Sequence, residues 1–159
     1  GYGPRSGPIC SPLKPLAARS KKSKQVLKVV GRLVTQVSKT IPLERVGLLG
    51  FSQGACLATE YAARHPQRYA GVFGLSGGLI GPEGTTFDYD GSMDETPVFL
   101  GCSDRDPHIP RSRVGETATA FEALGAEVEE RIYKGMGHTV NRDELEVVHS
   151  VLKTGAGAG

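Results

Sequence analysis

Past the first twenty residues, apolar positions fall into alternating helical and strand-like runs. Val26, Val29, Val30, Leu33 and Val37 recur at helical spacing, with Lys24, Lys28 and Arg32 among them, which predicts an amphipathic helix over 21–39. Pro42 closes that segment. Val46-Gly47-Leu48-Leu49-Gly50 is short and apolar and reads as a buried strand; the Ala- and Leu-rich stretch from Gln53 to Arg64, stopped by Pro66, reads as a helix. Residues 69–75 and 97–102 are two further apolar strands. Val114, Ala118, Phe121 and Leu124 share one helical face over 111–124, and Gly125 stands where a C′ glycine belongs. Residues 128–133 alternate weakly with charge, as an edge strand does. Asn141 followed three positions later by Glu144 predicts the cap of a last helix carrying Leu145, Val148 and Leu152. Strands alternating with helices predict an α/β domain with a mainly parallel sheet. Its expected extent is 21–154, between a Pro- and Gly-rich basic arm over 1–20 and a flexible Gly-Ala tail over 155–159.

Composition narrows the classes. The 159 residues suit one domain, and no run approaches the roughly 18 apolar residues of a membrane-spanning helix. No apolar stretch follows the basic start as it would in a secretory signal. Three cysteines, Cys10, Cys56 and Cys102, are too few and scattered for a disulfide framework or a zinc site, so a cytoplasmic protein without metal or cofactor is expected. The net charge of +2 conceals an asymmetry: the first 39 residues hold 9 basic and no acidic residues, the remaining 120 hold 10 basic and 17 acidic. No aromatic residue lies between Tyr2 and Phe51 to stack on bases, so the basic stretch reads as a solvated arm and helix face, not a nucleic-acid site.

The pattern Gly-x-Ser-x-Gly occurs twice, around Ser52 and around Ser76. A nucleophile elbow needs a strand before the serine, a helix after it, and flanking glycines where the two elements approach closely. Ser52 has that context. Ser76 is followed by Gly77, Gly78, Gly81 and Pro82, which do not start a regular helix, and is expected in a loop near the substrate pocket. A serine hydroxyl attacks only when a base takes its proton and a carboxylate orients that base, and in this architecture the chain order is Ser, acid, His. His65 sits at a helix end, His149 on a helix face, and His108 too early in the order. His138, in Gly135-Met136-Gly137-His138 after the last strand, is the expected base. Asp104 and Asp106 both follow the strand ending at Cys102, where α/β sites gather, and spacing alone does not choose between them.

Together, Gly50-Phe51-Ser52-Gln53-Gly54-Ala55, Leu75-Ser76-Gly77, Asp104-Arg105-Asp106-Pro107-His108-Ile109-Pro110 and Gly135-Met136-Gly137-His138 resemble the phospholipase/carboxylesterase family of α/β-hydrolases, which includes the acyl-protein thioesterases. The resemblance runs over about 41–152. It implies Asp106 as the acid, leaving Asp104 to the hydrogen bonds of its own loop. It also implies hydrolysis of small carboxylic esters without metal or cofactor. The elbow puts an oxyanion donor at the amide of Gln53, the residue after the nucleophile, and the substrate pocket is expected near Phe51, Ser76, Gly77 and Met136. The alternatives are a thioesterase acting on acylated protein and a catalytically silent binding module. The chain departs from the family before the elbow: only 49 residues precede Gly50, and no His-Gly dipeptide is present to supply a second oxyanion amide. An N-terminally truncated hydrolase fold is therefore expected. The elbow strand would lie at an open sheet edge, where a second copy of the chain could pair.

Overall fold

The structure, a computed structural model, describes residues 21–157. Its elements run α1 (Lys21–Ser38), a 3₁₀ turn (Leu43–Arg45), β1 (Gly47–Phe51), α2 (Gln53–Arg64), β2 (Gly71–Leu75), β3 (Pro97–Ser103), α3 (Arg111–Ala123), β4 (Glu127–Tyr133) and α4 (Arg142–Gly157). The four strands form one parallel sheet in the order β1-β2-β3-β4, so β1 and β4 are its edges among the described residues. Register pairs Gly47 with Gly71 through Phe51 with Leu75, and Pro97 with Glu127 through Ser103 with Tyr133.

Alternation along the strands sorts the core into two layers. Val72, Val98, Leu100 and Cys102 point toward α2 and α3, where Cys56, Ala62, Val114, Ala118 and Phe121 meet them. Phe73, Leu75 and Phe99 point to the other face, under Val148 of α4. Parallel strands buried on both faces read as continuous apolar runs, as β2 and β3 do. β1 departs from the expected buried strand: Leu49 and Phe51, which pair with Phe73 and Leu75, are 53% and 42% exposed because α4 packs on β2 and β3 instead.

The long connection from β2 to β3 is fixed by two buried charges. Glu60 of α2 accepts from Arg64 Nε, the Ile80 amide and the Tyr89 hydroxyl. Arg113 of α3 donates to the carbonyls of Leu79, Gly81 and Pro82. α4 starts as its spacing implies, with the Glu144 amide donating to Asn141 Oδ1 at 2.8 Å and the Asn141 amide to Glu144 Oε2 at 2.9 Å. Its far end differs from expectation, since the helix continues through 155–157 of the supposed tail. A Cβ on Gly155 would lie 3.9 Å from the Cβ of Ala70. The arm over 1–20 lies outside the described residues.

Candidate active site

Ser52 stands between β1 and α2 with φ 56° and ψ −120°, a left-handed backbone that a non-glycine residue adopts only when its surroundings impose it. It occupies the N-cap position of α2, yet its hydroxyl caps nothing. The amide of Ser52 donates to the Leu75 carbonyl and its carbonyl accepts from Cys56, so the backbone is held on both sides. Close approach explains one flanking glycine: a Cβ on Gly50 would collide with the Gly54 carbonyl and lie 2.5 Å from the Ala55 amide nitrogen. Gly54 itself has open space where a Cβ would point, so the expected need for glycine rests on Gly50 alone of the two.

The freed hydroxyl of Ser52 lies 2.8 Å from His138 Nε2, and His138 Nδ1 lies 2.7 Å from Asp106 Oδ2. An ionised carboxylate only accepts, so Nδ1 carries the hydrogen and Nε2 is the acceptor facing serine. Asp106 is fully buried at its side chain, and its Oδ1 accepts from the amides of His108 and Ile109 at 2.8 and 3.0 Å. Gln53 opens α2, so its amide has no acceptor within the helix and points outward at the positive end of the helix dipole.

The other sequence-selected residues lie around this relay. The Phe51 ring stands 5.0 Å from the His138 ring and is partly exposed. Ser76 (φ 51°) is fully buried behind the relay, with its hydroxyl donating to the Thr139 carbonyl at 3.4 Å. Gly77 is buried too, where a Cβ would sit 2.7 Å from the Ser52 carbonyl. Met136 accepts from Asn141 Nδ2 at its sulfur. Two features escaped the sequence. His108, set aside on chain order, packs edge-on to His138 at 4.7 Å between ring centres. Asp104 does not serve its own loop: its Oδ1 accepts from the Gly135 amide at 2.7 Å. Cys102 offers no competing nucleophile, because burial first, then the charges of Asp106 and Glu144, push its thiol up to about 12. Among the described residues no cluster of His, Cys, Asp or Glu could hold a metal ion, and no helix is long and apolar enough to cross a membrane.

Residues 13–155 match the phospholipase/carboxylesterase family. The chain belongs to that family. Acyl-protein thioesterase 1 of Saccharomyces cerevisiae is 34% identical over 121 residues, which cover 74% of this chain and 53% of that protein. A crystal structure of a phospholipase/carboxylesterase from Dyadobacter fermentans superposes with TM-score 0.83 and 35% identity, over 96% of this chain and 71% of that one. The Bacillus cereus carboxylesterase, at 16% identity and TM-score 0.61 over 84% of this chain and 60% of its own, shares the fold. The fold is that of the α/β-hydrolases. This phospholipase/carboxylesterase-family chain spans about half the length of the curated relatives it matches.

Proposed function

We propose that the chain is a serine carboxylesterase in which Ser52 is the nucleophile, His138 the general base and Asp106 the residue that orients it. The observation carrying this reading is the continuous Ser52–His138–Asp106 hydrogen-bond relay starting from a serine on a strained elbow. Ser52 Oγ attacks the ester carbonyl as His138 Nε2 takes its proton, and Asp106 stabilises the resulting imidazolium. The Gln53 amide donates to the developing oxyanion. The tetrahedral intermediate collapses, His138 returns the proton to the leaving alcohol, and an acyl-serine remains. Water then attacks the acyl carbon with His138 as base, releasing the acid and restoring Ser52. Each step conserves protons through His138 and needs no cofactor. Small carboxylic esters are the proposed substrates.

A second reading is favoured by the Saccharomyces cerevisiae relative, an acyl-protein thioesterase. A thioester on an acylated protein would pass through the same acyl-serine, with a thiol leaving in place of the alcohol. The test is a fluorophosphonate probe, which reacts only with an activated serine. Labelling of the wild type and not of Ser52→Ala is expected, with turnover of p-nitrophenyl butyrate. Faster turnover of an acyl-thioester peptide would favour the second reading. An unlabelled, inactive wild type would mean a silent binding module.

A further inference from the structure

His138 follows a glycine-containing turn after β4. Gly135 and Gly137, both just before it and flanking Met136, hold φ of 67° and 78°, and at neither would an added Cβ find an atom within 4 Å. Side-chain packing at those two glycines therefore does not restrain the backbone. Hydrogen bonds from the end of β3 supply the restraint. The Asp104 amide donates to the Tyr133 carbonyl at 3.1 Å, and Asp104 Oδ1 accepts from the Gly135 amide at 2.7 Å. Ser103 Oγ accepts from the Gly137 amide at 2.9 Å and from the Arg105 amide at 3.1 Å. The segment 103–106 therefore holds the imidazole through Asp106 and the backbone beneath it through Ser103 and Asp104. Of the two side chains that accept from the loop amides, the Asp104 carboxylate makes the shorter bond.

We propose that Asp104 is a positioning residue, whose carboxylate clamps the glycine loop so that the His138 imidazole spans Ser52 and Asp106. The proposal rests on the esterase reading above. Asp104 makes no hydrogen bond to Ser52 among the described residues and acts through the backbone that precedes His138. Its side chain is exposed, so removing it leaves the core untouched.

The experiment compares Asp104→Ala, which has no acceptor, with Asp104→Asn, which keeps a carbonyl oxygen for the Gly135 amide. Turnover of p-nitrophenyl butyrate, the melting temperature and the His138 Nδ1-proton resonance are measured for each. A misplacement near 1 Å costs up to about 100-fold in rate. Asp104→Ala is accordingly expected to lose about tenfold or more in kcat, with KM changed less than about twofold. It should also lose or broaden the Nδ1-proton resonance. Asp104→Asn should recover most of both. Wild-type kcat and resonance in Asp104→Ala would overturn the proposal. So would equal losses in the two variants, or a melting temperature that falls while the folded fraction keeps its kcat and resonance. A wild type that hydrolyses nothing would refute the esterase reading, and the resonance would still decide the clamp.

Discussion

Asp106 is held by three hydrogen bonds, and they dictate what an asparagine in its place does. Oδ1 is pinned as an acceptor by the amides of His108 and Ile109, so the new NH₂ must take the position of Oδ2, facing His138 Nδ1. Nδ1 then becomes the acceptor, the hydrogen moves to Nε2, and the imidazole presents a donor to Ser52 where a base is required. Asp106→Asn should therefore lose about 10⁴ in kcat, as the same change does in a serine protease, while staying folded. Steady-state kinetics checks the loss; a decrease under tenfold would point to a different acid. Glu144 makes the opposite case, a carboxyl outside the relay whose burial shows in stability. Its Oε2 accepts from the Asn141 amide, its Oε1 has no partner among the described residues, and a Cβ on Gly101 would collide with it. Burial, outweighing that amide bond, raises its pKa above the ordinary 4.5. The folded state thus holds this proton more tightly than the unfolded chain. Its contribution to stability is greatest below the unfolded pKa and declines as pH rises through the folded one. Glu144→Gln cannot titrate, so its stability relative to wild type should increase as pH is raised from 4 toward neutrality. Urea unfolding across that range measures it, and a constant difference would refute the burial argument.

At the level of elements, the β1–α2 junction separates two glycines that one motif makes equivalent. Gly50→Ala places a methyl group against the backbone of Gly54 and Ala55, which no side-chain rearrangement relieves. Overpacking of this kind costs about 1–3 kcal/mol, and the elbow must shift to accept it. Gly54→Ala meets nothing and sits in the first turn of α2, where replacing glycine gains up to about 1 kcal/mol in helix propensity. Thermal melts should show the first variant less stable than wild type and the second equal or more stable. The converse order would mean that Gly54 is the close contact. The junction was legible because its signals are local: an apolar strand, an alanine-rich helix, and a serine between glycines. The Asn141–Glu144 cap was legible for the same reason, since its partners are three positions apart. Spacing alone did not separate Asp104 from Asp106, and only the resemblance pointed to Asp106, because their partners, His138 and Gly135, lie in a loop some thirty residues downstream. Nor was the burial of Ser76 legible, its partner Thr139 lying 63 residues away. The open face of β1 was misread as buried, because an apolar run records what a strand needs to cover and not whether anything covers it.

That uncovered face governs how the whole molecule should behave in solution. β1 pairs with β2 on one side and has no strand on the other among the described residues. At this edge the sheet exposes Leu49 and Phe51; elsewhere α1 exposes Val29, Leu33 and Val37, and Ile41 is exposed just after it. Edges in soluble proteins are blunted by charge, proline or a bulge, and β1, Gly-Leu-Leu-Gly-Phe, has none of these. At the opposite edge, β4 carries Glu127, Glu129, Glu130 and Arg131, which disfavour pairing there. Association should therefore run through β1 alone. Two copies related by a two-fold axis would set their β1 strands antiparallel and bury both apolar faces at once. The 159-residue chain is accordingly expected to self-associate, with a weight-average mass by light scattering that rises with concentration. Leu49→Lys places a charge on the exposed face, away from the serine relay, and should shift the equilibrium toward monomer without reducing fluorophosphonate labelling. A wild type that stays monomeric across the series would mean that the edge is covered within the chain. If Leu49→Lys associated as the wild type does, the contact would lie elsewhere, with the α1 stripe as the next surface to charge.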